Sequence, residues 1–184
     1  MSELTLEDGS KPAAPADLFE RLDSLGIEVA TVEHPPVFTV EEAKSLRGEI
    51  TGCHTKNLFL RNKKGKMWLV VCSEDRAIDL KDLAARLNAG RLSFGSAERL
   101  ARYLGVIPGA VTPFAILNDK SGAVTVAVDN AILDKDPLNF HPLDNARTTS
   151  IRSEDLLKFL KAEGHRAQLI DFDRSWGASD PRLG

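Results

Sequence analysis

The chain has 184 residues, 42% hydrophobic and 28% charged, with a formal net charge of -3 from 24 basic and 27 acidic side chains. That length holds one core well and two poorly, and the charge balance exerts no general pull toward nucleic acid or anionic lipid, so a polyanionic partner needs a local basic patch. No apolar run approaches the roughly 20 residues that span a bilayer, and the acidic opening MSELTLEDGSKPAAPAD lacks a secretory signal's apolar core; a cytoplasmic protein with no membrane partner is expected.

Residues 1–15, rich in proline and alanine, read as a flexible leader; one domain is expected over 16–173 and an irregular tail over 174–184. Asp17 with Glu20 forms a capping-box pattern for a helix over 17–25 that Gly26 ends, 27–33 alternates as a strand, and Thr39 with Glu42 caps a helix reaching about Arg47. The stretch GCHTKNLFLRNKKGKMWLVVC over 52–72 predicts a hairpin with its polar turn at 62–66. Helices opened by Asp79 and Ser96 close at Gly90 and Gly105, with the short strand RLSF between them. Further strands are predicted over 114–117, 124–128, 138–143, 148–151 and 167–172, and Ser153 caps the helix EDLLKFLKAEG. This irregular interleaving predicts the α+β type of α/β fold, a single domain with a mixed, curved sheet flanked by helices.

Standard cofactor and zinc signatures are absent: there is no GxSxG, GK[ST], GxGxxG, CxxC or HExxH, so no metal and no cofactor is expected. Cys53 and Cys72 are expected to be free thiols in a reducing compartment. Three stretches carry chemical interest. In an extended strand Lys56 shares a face with Leu58 and Leu60, while Asn57 points the other way. An ammonium on an apolar face is either a snorkelling surface lysine or a functional cation. The segment GVIPGAVTPF over 105–114 is a rigid loop whose backbone can approach a ligand closely, or a plain helix-to-strand connection. In LNFHPLDNARTTSI over 138–151, His141 has polar neighbours in Asn145 and Thr148, though a lone strand histidine is usually structural, and His34 and His165 read as turn residues.

Taken together, EHPPVFTVEEA (33–43), GCHTKNLFLRNKKGKMWLVV (52–71), LSFGSAERLARYLGVIPGAVTPFAILND (92–119), VDNAIL (128–133) and NFHPLDNARTTSI (139–151) resemble the YbaK family of aminoacyl-tRNA deacylases, which includes the editing domain of bacterial prolyl-tRNA synthetases. The resemblance implies a YbaK-like fold and a trans-editing hydrolase for mischarged proline tRNA, foremost alanyl-tRNA(Pro). Water would attack the aminoacyl ester, helped by the substrate's own terminal ribose hydroxyl, in a pocket too tight for proline. It places Lys56 and His141 in the catalytic site, His141 near the 3′-terminal adenosine. Asn57, Thr39, the loop residues Gly109, Ala110, Val111, Thr112 and Pro113, and Phe114 fall to substrate binding. The basic turn residues Arg61, Lys63, Lys64 and Lys66 are the candidates for contact with the tRNA body. Prolyl-tRNA synthetase is a further candidate partner, and no DNA is expected. A deacylase for another small residue such as cysteine, or a non-catalytic tRNA- or synthetase-binding module, are the alternatives.

Overall fold

The computed structural model describes residues 3–36 and 50–174; Thr39, the helix expected around it and the tail beyond 174 lie outside the described residues. Among these residues four α-helices pack on one mixed sheet: α1 (Pro15–Ser24), α2 (Leu80–Leu87), α3 (Ala97–Leu104) and α4 (Ser153–Ala162). The strands are β1 (Ala30–Glu33), β2 (Cys53–Arg61), β3 (Met67–Ser73), β4 (Ser93–Phe94), β5 (Val124–Asp129), β6 (Leu138–Phe140), β7 (Arg147–Ile151) and β8 (Gln168–Ile170). They run in the order β1-β7-β6-β2-β3-β5-β8, with β4 added beside β2. The β2–β6, β3–β5 and β5–β8 pairs are parallel and the others antiparallel.

Local chemistry explains most element ends. The Asp79 carboxylate accepts from the Lys81 N–H at the start of α2, and the Ser96 hydroxyl accepts from Arg99 N–H at the start of α3. Gly105, at φ +64°, ends α3 in the left-handed region, where a side chain would also collide with Pro12 and Asn118. Four expectations need correction. α1 begins earlier, with Pro15 in its first turn and the Asp17 carboxylate reaching back to the Ala14 N–H. Left-handed Asn88, not Gly90, ends α2. Residues Pro113–Asn118 form a 3-10 helix instead of a strand, because Pro113 lacks a donor for a ladder and the Thr112 hydroxyl caps the Phe114 N–H. Ser153 does not cap α4: its hydroxyl donates to the Leu133 carbonyl and its N–H to Asp136.

The sheet divides two cores. Phe59, Leu69, Val71 and Val126 face the larger one, filled by α1, α3, α4 and residues Ala110, Phe114 and Phe140. Leu60, Trp68, Val70 and Ala127 face the smaller one under α2. The segment read as a flexible leader is packed, with Leu6 buried, Glu7 N–H donating to the Arg102 carbonyl, and Ala13 N–H donating to Asn118. Among the described residues no helix is long and apolar enough to cross a membrane.

His165, read as a turn residue, is buried between two acceptors, the Glu163 carbonyl at 3.0 Å and the Asp119 carboxylate at 2.8 Å, so its ring carries both protons. Burial alone would lower its pKa, but the hydrogen bonds and the charges of Asp119 and Glu163 outweigh it and raise the pKa above the usual value. This contribution to stability is therefore complete below the unfolded imidazole's pKa of about 6.5 and is lost as the pH rises through the folded one. Thermal melts should show a midpoint that declines over that rise, and His165→Gln should flatten the decline; an equal slope in both proteins refutes the linkage.

Candidate active site

The site is built around a gap in the pairing of β2. On one edge β2 is paired with β3 continuously from Thr55 to Arg61. On the other, β6 pairs only with Cys53 and His54, and β4 only with Leu60 and Arg61. Cys53 N–H donates to the Pro137 carbonyl and the Phe59 carbonyl accepts from Gly95 N–H, so the odd-numbered residues of β2 turn their backbone groups to this edge. The two-residue period adds Thr55 and Asn57, which lie where no strand of the described residues is paired. The Thr55 hydroxyl reaches the Asn139 carbonyl at 2.7 Å, whereas the Asn57 side-chain oxygen is buried without any hydrogen-bond partner.

Alternation then separates the two neighbours. Asn57 lies on the face of Phe59, toward the core that holds Ala110, Phe114 and Phe140. Lys56 lies on the face of Leu58 and Leu60, so the register does not place lysine and loop on one wall. Lys56 is half buried opposite Cys72, and its ammonium has no hydrogen bond or ion pair among the described residues. Burial dominates the Cys72 thiol and pushes its pKa up to about 11, against the opposing pull of the Lys56 charge.

The loop over 105–114 is anchored from beneath. Phe114 is fully buried, edge-on to Phe140 and Phe159 with ring centroids 5.8 and 5.7 Å away. Ala110, Thr112 and Pro113 are buried as well, so these side chains hold the loop and do not line an accessible surface as expected. Its exposed portion is Ile107, Pro108 and Gly109, with Val111 half buried. Gly109 has no left-handed φ, and among the described residues a Cβ built on it would meet only the Asn145 side-chain nitrogen, at 3.7 Å. Neither backbone conformation nor packing among the described residues demands a glycine there. Gly95 is the contrast, since a Cβ on it would fall 2.5 Å from the Phe59 ring.

Across from Gly109 the chain returns through residues 141–147. His141 Nδ1 lies 2.9 Å from the Arg147 carbonyl, which can only accept; Nδ1 therefore carries a proton, and Nε2 has no hydrogen-bond partner among the described residues. His34 stands beside it, ring centroids 6.2 Å apart. Its Nδ1 donates to the Pro35 carbonyl and its Nε2 accepts from the Thr148 hydroxyl, both at 2.9 Å. Read as a turn residue, His34 is thus part of the wall; its signal in the sequence was its place in the segment 33–43. Among the described residues no three His, Cys, Asp or Glu side chains converge as metal ligands.

The basic turn is remote from these groups. Asn62 organises it by accepting from Lys64 and Lys66 N–H and donating to the Ala89 carbonyl. Lys63, Lys64 and Lys66 are exposed, Arg61 is half buried, and the Lys66 ammonium lies 5.3 Å from the Trp68 ring centroid.

The sequence model of the aminoacyl-tRNA editing domain matches residues 34–159. The chain belongs to that family, and it is an aminoacyl-tRNA deacylase. Among its relatives is the prolyl-tRNA editing protein ProX of Acetoanaerobium sticklandii, 40% identical over 152 residues that cover 82% of this chain and 93% of the relative. The prolyl-tRNA synthetase associated domain-containing protein 1 of Bos taurus is 41% identical over 165 residues, covering 87% and 96%. The fold is shared with the solved structure of a candidate trans-editing enzyme for prolyl tRNA synthetase, at TM-score 0.66, 22% identity and coverage of 86% and 96%. It is shared also with the hypothetical protein APE2540, at TM-score 0.68, 17% identity and coverage of 84% and 97%.

If the room above Gly109 is not structural, Gly109→Ala should leave the melting midpoint within about 2 °C of the parent, a surface-sized effect. Gly95→Ala should lower it by several degrees, because the Phe59 ring must move. Equal losses in the two variants contradict this reading.

Proposed function

We propose that this protein removes alanine from mischarged proline tRNA, with the aminoacylated 3′ end lying in the gap along β2. The observation that carries the reading is the buried, unpartnered Asn57 oxygen at that gap, on the face that the Gly109 loop covers. Such an atom costs on the order of 1–3 kcal/mol, which a bound hydroxyl or amine donor would relieve. The relatives named as prolyl-tRNA editing or prolyl-tRNA synthetase associated proteins support the choice of tRNA, and with it a cytoplasmic place beside the synthetase.

Each part then has a role. The exposed turn at Gly109 limits the space for the amino acid, so selection is steric: alanine fits and proline does not, since attraction alone cannot favour the smaller side chain. The His141 Nε2 lone pair accepts from the terminal ribose hydroxyl or from the attacking water. Among the described residues no Ser or Cys is paired with His141, which favours direct attack by water, with positioning supplying much of the rate. Lys56 starts from the far face, but among the described residues no strand blocks the edge of β2 beside it, and its flexible stem brings the ammonium to the rim to stabilise developing negative charge. The turn carrying Lys63 and Lys64 begins five residues beyond Asn57, roughly 16 Å along the strand, a distance suited to the phosphates of the acceptor stem.

The purified protein should release alanine from alanyl-tRNA(Pro) and leave prolyl-tRNA(Pro) intact, with cysteinyl-tRNA(Pro) as the competing substrate. Lys56→Ala should cut kcat/KM by about a hundredfold at an unchanged melting midpoint; a full rate would remove Lys56 from the mechanism. Reversing charge at Lys63 and Lys64 should weaken binding of deacylated tRNA and reduce its salt slope by one to two. Unaltered binding would clear the turn of any contact.

A further inference from the structure

Asn145 stands beside the Gly109 turn with a side chain that its own loop leaves idle. Its neighbours are all engaged. Leu143 is held at φ +72°, a region that a branched, non-glycine residue rarely enters, while its side chain packs against the larger core. The Asp144 carboxylate accepts from Ala146 N–H at 3.1 Å and pairs with Arg147 at 3.5 Å. The Ala146 carbonyl accepts from His34 N–H at 2.9 Å, and the Arg147 carbonyl holds His141. Between these fixed points the half-buried Asn145 carboxamide has no hydrogen bond among the described residues, and its nitrogen lies 3.7 Å from where a Cβ on Gly109 would sit, beside the exposed turn of that loop.

We propose that Asn145 is a catalytic residue, its side-chain N–H donating to the ester carbonyl oxygen and most strongly to the oxyanion that forms there. The inference rests on the deacylase reading above and deepens it. When water attacks, its oxygen bonds to the carbonyl carbon and the π pair moves onto the carbonyl oxygen. On collapse that pair re-forms the double bond, the bond to the ribose oxygen breaks, and the proton lost by water passes by way of His141 to the leaving oxygen. The negative charge exists only between these two events. A donor fixed before the reaction stabilises it without reorganising, and the loop bracing is the fixing device. The strain at Leu143 is explained in the same way, because relaxing that residue would swing the carboxamide off its line.

The test uses the full chain and alanyl-tRNA(Pro), with steady-state and single-turnover kinetics and melts on each variant. Asn145→Asp keeps the shape and removes the donor; Asn145→Ala removes both. A transition-state donor predicts that both lower kcat by about a hundredfold, with KM within about threefold and the melting midpoint little changed. A merely structural role predicts that activity falls with stability and that Asp, the isostere, retains most of it. Parent-like kcat in Asn145→Asp, or a loss confined to KM, overturns the assignment while the parent's deacylation keeps the functional reading intact. A parent protein inactive on every mischarged tRNA overturns both.

Discussion

A β-strand inside a sheet must find partners for the backbone groups on both of its edges, and β2 does so continuously on one edge but only at the two ends of the other. The interruption has identifiable causes. β6 leaves β2 after Asn139, whose side-chain nitrogen is tied to the Thr51 and Cys53 carbonyls while its oxygen accepts from Ser150, and Phe140 then turns into the core against Phe114. β4 contributes only two residues before the chain turns at Gly95, pressed on the Phe59 ring, and enters α3. The groups exposed between them cannot satisfy one another, because they lie along one strand and point the same way. Among the described residues no further strand reaches them, and a ligand able to donate and accept would satisfy them away from bulk water.

What surrounds this gap is held stiffly by atoms that do not face it. The aromatic trio of Phe114, Phe140 and Phe159 fixes both the loop that carries Gly109 and the strand that leads to His141. A carbonyl chooses the histidine's tautomer, and a second histidine fills the space behind it. Positioning of this kind serves the proposed reaction, whose rate would depend on where the ester and the water are held.

The sequence conveyed the architecture well wherever a local rule sufficed. The caps at Asp79 and Ser96, the left-handed Gly105 and the alternation through β2 and β3 were legible because each depends on a few adjacent residues. The stretch after Pro113 was misread as a strand because its apolar run suits a buried 3-10 turn equally well. Lys56 was placed correctly among leucines, yet which core that face met depends on long-range pairing that alternation cannot supply. The burial of Ala110, Thr112 and Phe114, the pairing of His165 with Asp119, and the closeness of His34 to His141 come from contacts between distant segments, invisible to any window of the chain.

Gly105 extends this logic to the protein's outermost stretch. Pro12 and Leu6 press on it from one side, and Asn118 ties it to Ala13 and to the Leu104 carbonyl from the other. The root of the loop bearing Gly109 is therefore clasped by residues that precede the first helix. A recombinant version trimmed to begin at that helix would keep every side chain around the cleft and still lose the clasp, so the boundary chosen for expression is itself a determinant of how well the loop is held.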